Sequence, residues 1–216
     1  SQLLIQFINE LKLINADVFI VVAFRMLPEV IWNMPKYGTY NIHASLLPKY
    51  RGAAPINWAI INGEKETGVT FFKLKHEIDT GNILLQNKIS IEDNDDFGTL
   101  YSKLMVLGAK TLLQGLSMIE KIQINFIEQD EKKVSHAPKI FHETCKIDFN
   151  QTAEQVHNFV RGLSPIPAAF FDFYGEEMKV YQSKPIIQNH NNKPGEIILT
   201  FTTFYVATID GLLEIK

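Results

Sequence analysis

The sequence predicts an α/β fold: the C-terminal half of a doubly wound, Rossmann-like domain, followed by a small β-barrel or sandwich. Three observations predict it. The run Ala16-Asp17-Val18-Phe19-Ile20-Val21-Val22-Ala23-Phe24 is almost wholly apolar and rich in β-branched residues, the pattern of a strand buried on both faces of a parallel sheet. A helical pattern, Leu3 to Leu13, precedes that strand, whereas a doubly wound fold normally opens with a strand; the chain is therefore expected to start in mid-fold, and to stop within a strand at Lys216. Beyond Ser164, finally, short apolar runs recur at close, regular spacing, as they do in small all-β domains.

The elements between are read from local signals. Leu27-Pro28 to Met34-Pro35 is a short helical connection bracketed by prolines. A strand from about Thr39 carries Asn41 and His43. Pro55 to Asn62 is a helix with proline in its first turn and Gly63 as its stop. Thr67 to Leu74 and Asn82 to Ser90 are strands around a charged loop, Lys75 to Gly81. Asp95-Asp96 can cap a long helix from Phe97 to about Lys121, with Leu100, Leu104, Leu107 and Leu112 at roughly helical spacing. From Gln123 to Lys139 no period holds and charges cluster. Thr152 caps a short helix to Arg161. Strands come next at Ala168 to Phe173, Glu177 to Ser183, Gly195 to Phe201, Phe204 to Ile209 and from Leu212 onward. The division this suggests is a first domain over 1–122, a linker over 123–141 and a second domain over 142–216.

Composition sets the bounds. With 216 residues, 46% of them hydrophobic, one large or two small packed domains are expected. A net charge of −3 gives no global basic field for nucleic acid, although a local patch stays open. The single Cys145 excludes an intrachain disulfide and a multi-cysteine zinc site, and suits a reducing cytoplasm. No apolar run reaches the roughly 18 residues of a membrane span, and no signal peptide is apparent.

The chemistry gathers in Asn41-Ile42-His43-Ala44-Ser45-Leu46-Leu47-Pro48, continued by Lys49-Tyr50-Arg51-Gly52. Strand alternation puts positions 41 and 43 on one face, and strand ends form the ligand crevice of an open parallel sheet. Two hydrogen-bonding side chains thus point together beside an apolar loop. Taken alone, both fit ordinary polar residues at a strand end; Ser45 to Pro48 fits a buried hydrophobic loop, and Asp79 fits a solvated loop acid.

The joint pattern says more. The string NIHASLLPKYRGAAP, joined by ETGVTFFKLKHEIDTGNIL at 66 to 84, resembles the formyltransferases that use 10-formyltetrahydrofolate. RGAAP and the residues beyond the motif are most similar to the branch that formylates methionyl-tRNA. The similarity runs over nearly the whole chain from about Ala16. It implies that an N-terminal half of the first domain is absent, that the second domain is a five-stranded barrel of the oligonucleotide-binding type, and that the partners are 10-formyltetrahydrofolate and initiator methionyl-tRNA, with no metal, acting as a monomer.

Formyl transfer to an amine passes through a tetrahedral oxyanion, and a proton must leave the attacking nitrogen, so the site needs oxyanion donors and a proton route. Asn41 donates through its amide; His43 donates or relays the proton. By resemblance, Asp79 is the carboxylate that orients His43 and supports its charge, with Gly81 letting the loop bend tightly. Ser45, Leu46, Leu47 and Pro48 are the folate loop, its backbone bonding the cofactor and its leucines lining a slot for flat rings. Arg25, Met26 and Leu27 line the pterin pocket. An alternative acceptor is a nucleotide-linked amino sugar, since Asn57-Trp58 after RGAAPI is closer to some sugar formyltransferases. The other histidines, His76, His136, His142, His157 and His190, show no ligand spacing. Cys145 reads as an inert small hydrophobe. Lys179, Lys184 and Lys193 are candidate phosphate contacts.

Overall fold

The computed structural model describes residues 2–22 and 27–216. In chain order it comprises α1 (Gln2–Ile14), β1 (Phe19–Val21), α2 (Glu29–Trp32), β2 (Thr39–His43), β3 (Arg51–Gly52), α3 (Pro55–Ile61), β4 (Glu66–Lys73), β5 (Ile83–Ser90), α4 (Phe97–Glu120), β6 (His136–Ala137) and α5 (Ala153–Leu163). Six strands complete it: β7 (Ala169–Phe173), β8 (Glu176–Val180), β9 (Ser183–Ile187), β10 (Ile197–Leu199), β11 (Phe204–Ala207) and β12 (Gly211–Ile215). Two compact units result. One runs through Gly52 and resumes over Gly68–Ile89 and Leu104–His136; the other takes Ala53–Thr67, Ser90–Lys103 and Ala137–Lys216.

The first unit is built on a sheet of order β1-β2-β4-β5. β1 and β2 are parallel, with Val21 opposite Asn41; β2 and β4 are antiparallel, with Asn41 opposite Phe72 and His43 opposite Thr70. Alternation along β4 sends neighbouring phenylalanines to opposite faces. Phe71 joins Tyr40, Leu84 and Ile119 on one side, and Phe72 joins Leu47 and Ile83 on the other. Tyr40 stacks on Phe71 with ring centroids 4.9 Å apart. Helix α4 comes in against that ring at Gly115, where a Cβ would lie 2.2 Å from Phe71 Cδ1; only glycine permits the approach.

The doubly buried strand read over 16–24 is a correction. β1 has three residues, all partly exposed, and Val22 is largely exposed. Among the described residues it lies at the outer side of the sheet and pairs with β2 alone, and its side chains are partly exposed. The sheet is also mixed rather than parallel.

In the second unit, α3 carries Pro55 in its first turn and ends at Asn62, followed by Gly63 at φ +71°. It packs against α5 at Gly162, where a Cβ would fall 2.6 Å from Ile61. Asn57 fixes the crossing by donating to the Gly162 carbonyl at 2.8 Å. Helix α5 starts with a reciprocal cap: Thr152 Oγ1 accepts from the Gln155 amide, and Gln155 Oε1 accepts from the Thr152 amide. Its Val156, Val160 and Leu163 form a core with Phe170, Phe171, Val180, Val206 and Leu213. Asp96 accepts from the Thr99 amide at 2.8 Å at the start of α4, as its sequence foretells.

The strands of this unit form an antiparallel sheet of order β10-β11-β12-β9 and a separate hairpin, β7-β8. This β-rich domain is not a closed barrel among the described residues. β9 is a strand that the sequence reading lacks. Pro185 hides it, since proline removes a ladder donor, but among the described residues β9 pairs only with β12, and an edge strand tolerates that loss. Among the described residues, no helix is long and apolar enough to cross a membrane.

Candidate active site

β2 ends in Asn41 and His43, two residues apart on one face, and only 6% and 7% exposed. The turn after β2 then folds back on the imidazole. Ser45 Oγ donates to the Lys49 carbonyl at 2.6 Å and the Lys49 amide donates to the Leu46 carbonyl. Tyr50 takes a left-handed conformation, φ +61°. Its carbonyl lies 2.8 Å from His43 Nε2; a carbonyl only accepts, so Nε2 carries the proton of that bond. The other ring nitrogen, Nδ1, lies 3.8 Å from Asp79 Oδ2.

Asp79 reaches His43 from the β4–β5 loop. Its carboxylate is mostly buried, and Oδ2 accepts from the Gly52 amide at 2.9 Å. The reason for its approach differs from the sequence expectation. The unusual backbone angle belongs to Asp79 itself, φ +57°, a region aspartate enters more readily than most residues. Gly81 instead permits close packing, since a Cβ there would sit 1.7 Å from the Lys73 carbonyl oxygen.

A side chain that sequence reasoning missed holds this loop. Gln129 donates from Nε2 to the Asp79 carbonyl at 2.7 Å and to the Gly81 carbonyl at 2.8 Å. Its Oε1 accepts from Arg51 Nε and Nη2 at 3.0 and 2.7 Å. Arg51 is buried and forms a two-pronged pair with Glu131 at 3.1 and 2.7 Å. Hydrogen bonds from Arg51 draw down the Glu131 carboxyl pKa.

The Ser45 to Pro48 loop lies beside the same strand and is heavily committed to the protein. Thr70 Oγ1 donates to the Ser45 carbonyl at 2.6 Å and accepts from the Leu47 amide at 3.1 Å. Gln86 Nε2 donates to the Leu47 carbonyl at 2.9 Å and to Thr70 Oγ1 at 2.8 Å. Leu47 is 3% exposed, within the core with Phe72 and Ile83. Leu46 and Pro48 are partly exposed, so they face outward where Leu47 does not. Thr70 and Gln86, which lock the loop, had no signal in sequence beyond lying on strands.

Arg25 and Met26 lie outside the described residues. Leu27 lines a pocket of roughly 230 Å³ with Pro28, Glu29, Trp32 and His76. Elsewhere, Trp58 Nε1 donates to the Pro138 carbonyl at 2.8 Å, so Asn57 and Trp58 are both tied to their own fold. His142 pairs with Glu177 at 3.0 Å and stacks on Phe170. Cys145 is buried, and burial raises its thiol pKa, ahead of the nearby Glu143 and Glu177 charges. Among the described residues no group of three metal-ligating side chains converges. Lys179, Lys184 and Lys193 are exposed.

A family model described as formyl transferase matches residues 1–116, and one described as formyl transferase, C-terminal domain, matches residues 139–216. The methionyl-tRNA formyltransferase of Bacteroides fragilis is 47% identical over 97% of this chain and 68% of its own length. The protein of that name from Azobacteroides pseudotrichonymphae is 56% identical over the same shares. Among solved structures, WlaRD, described as a sugar 3N-formyl transferase in the presence of dTDP and 5-N-formyl-THF, matches with a TM-score of 0.70 and 26% identity, over 92% of this chain and 71% of that one. HypX from Aquifex aeolicus, in complex with tetrahydrofolic acid, shares the fold with a TM-score of 0.73 at 23% identity, over 96% of this chain and 36% of that one.

Proposed function

The chain belongs to the formyltransferase family, and from that premise we propose that it transfers the formyl group of 10-formyltetrahydrofolate to the amino group of initiator methionyl-tRNA, in translation initiation. The observation that carries the reading is the facing of His43 Nδ1 and Asp79 Oδ2 across 3.8 Å, at the end of the strand that also bears Asn41. The curated relatives supply the acceptor. The pair that favoured an amino-sugar acceptor, Asn57 and Trp58, is occupied in packing α3.

The chemistry is set by the donors. The methionyl nitrogen attacks the formyl carbon, and the carbonyl electron pair moves onto oxygen. Asn41 Nδ2–H and a proton on His43 Nδ1 stabilise that oxyanion. His43 Nε2 is engaged by Tyr50, and 3.8 Å exceeds a direct hydrogen bond. Nδ1 is therefore the ring atom we assign to exchanging a proton with the reactants, in the field of the Asp79 carboxylate. Collapse restores the carbonyl and breaks the bond to folate N10; the methionyl nitrogen gives up one proton and N10 gains one, so no net proton is released. No step uses a metal.

Leu46 and Pro48 line the folate slot in this reading, while Ser45 and Leu47 hold the loop; Arg25, Met26 and Leu27 are proposed as contacts to the pterin. The first sheet is read as half of a doubly wound sheet, within a catalytic domain over 1–122 joined by 123–141 to a second domain over 142–216. The second domain is read as an open relative of the oligonucleotide-binding barrel, with Lys179, Lys184 and Lys193 toward tRNA phosphates. The enzyme is a cytoplasmic monomer in this reading.

The test is a formylation assay of the purified full-length protein with labelled formyl donor, run against charged initiator tRNA and against amino-sugar nucleotides. Label on methionyl-tRNA alone is expected. Label on the sugar nucleotide and none on tRNA would overturn the acceptor.

A further inference from the structure

The geometry points to Gln129 as a positioning residue for Asp79, with the Arg51–Glu131 pair fixing the direction in which its amide points. The inference rests on the reading that Asp79 supports His43.

A glutamine side chain has two donor hydrogens and one carbonyl acceptor. At Gln129 both donors are taken by backbone carbonyls, those of Asp79 and Gly81, while the acceptor takes two bonds from Arg51. Arginine only donates, so the amide oxygen must face it and the NH2 must face the loop. Arg51 cannot turn away, because its outer edge is held by Glu131. The chain of contacts therefore has one orientation.

One of the two bonded carbonyls belongs to the residue that matters, and the other lies two residues further on. Asp79 has φ +57°, a conformation that residues with a side chain seldom adopt. Within its own loop, Thr80 Oγ1 donates only as far as the Glu77 carbonyl. The Gly52 amide holds the carboxylate, and Gln129 holds the backbone that leaves the bend, from the Asp79 carbonyl to that of Gly81. Gln129 lies 50 residues from Asp79, and its amide is taken up by Arg51 and the two loop carbonyls, so its effect passes through the carboxylate.

The experiment is a double-mutant cycle in the full-length enzyme, with Gln129→Met, Asp79→Asn and the pair. Methionine keeps length and removes both donors. Gln129→Met is expected to lower kcat on the order of 10- to 100-fold, as misplacing a group by about 1 Å does, with KM for the folate changed less than about threefold. In the Asp79→Asn background the same change is expected to cost less than about threefold, because no charge is left to place. Gln129→Glu gives the second reading, since a carboxylate keeps the Arg51 contacts and turns an acceptor toward two carbonyls; it should lower kcat at least as far. Equal losses from Gln129→Met in both backgrounds would overturn the inference, as would kcat within about threefold of wild type in both Gln129 variants. A neutral Asp79→Asn enzyme would instead overturn the reading on which the inference rests.

Discussion

Replacing Asp79 by asparagine isolates the carboxylate's charge from its shape. Asparagine tolerates the positive φ that Asp79 adopts and keeps an oxygen for the Gly52 amide, which Asp79 Oδ2 now holds at 2.9 Å. The backbone carbonyl that Gln129 grips is untouched. What disappears is one negative charge 3.8 Å from His43 Nδ1. At an effective dielectric of about 20, two unit charges at that distance interact by about 4 kcal/mol, which converts to roughly three orders of magnitude in rate. The Gly52 amide already draws on the same oxygen, so the full value is an upper bound and a loss of about 100- to 1,000-fold in kcat is expected. Initial rates of methionyl-tRNA formylation, with both substrates saturating, give kcat. KM for the folate should move little, because the charge acts on the transition state rather than on binding. A thermal melt close to wild type is the control. A kcat within about threefold of wild type in a well-folded variant would refute the electrostatic role.

Other consequences are checked more briefly. Leu46→Asp should weaken binding of a folate analogue in calorimetric titration while the protein still melts cooperatively, whereas Leu47→Asp should unfold it, since Leu47 is 3% exposed within the core and burying an unpaired carboxylate there is prohibitive. Gly115→Ala should lower Tm despite alanine's better helix propensity, because its Cβ would fall 2.2 Å from Phe71 Cδ1; overpacking of this kind costs about 1–3 kcal/mol, and a raised Tm would show that α4 sits farther from the ring. His157 is held below its ordinary pKa of 6.5 by burial and then by the Arg161 charge. The unfolded chain therefore binds more protons, so stability from this group is full above about pH 6.5 and falls as pH drops through that value toward the folded pKa. Melts from about pH 5 to 7.5 should show a shallower slope for His157→Gln.

How far the sequence was readable depends on where each signal lives. Local signals read well: Pro55 and Gly63 bracket α3, Asp96 caps α4 and Thr152 caps α5, because each acts within one turn of its own residue. The same-face pairing of Asn41 and His43 was readable because alternation needs nothing beyond the strand. Ends and edges read poorly. β1 shrank to three residues because apolar composition does not say which strand has a neighbour on both sides. β9 was lost because Pro185 is forbidding in a central strand and harmless at an edge. Arg25 and Met26 fall outside the described residues. Asp79 came from resemblance alone, as no local pattern sends a loop acid inward. Gln129 stood in a stretch without any period, and the groups its Nε2 holds in the Asp79 loop are backbone carbonyls 48 and 50 residues away. A carbonyl leaves no mark in sequence, so a side chain that binds one has nothing to be matched with.

The same consideration explains why Tyr50-Arg51-Gly52 belongs to the motif although no part of it needs to meet a substrate. The Tyr50 carbonyl accepts a hydrogen bond from His43 Nε2, the Gly52 amide donates to the Asp79 carboxylate, and the Arg51 side chain orients the glutamine that holds the Asp79 backbone. Three consecutive residues therefore set both partners of the His43–Asp79 pair, two of them through the main chain. For the carbonyl of one residue and the amide two further on to reach different targets, the chain must turn sharply, and it does so with Tyr50 at φ +61° and Gly52 at φ +124°. The second angle is open to glycine and strained for any residue with a Cβ. The turn is then anchored from outside by Ser135, whose Oγ accepts from the Tyr50 amide at 2.9 Å and whose carbonyl accepts from the Arg51 amide at 2.9 Å. Arg51 and Gly52 thus matter for where they put other residues' atoms: between His43 and Gly52 the chain passes from a contact with the imidazole to a contact with the Asp79 carboxylate.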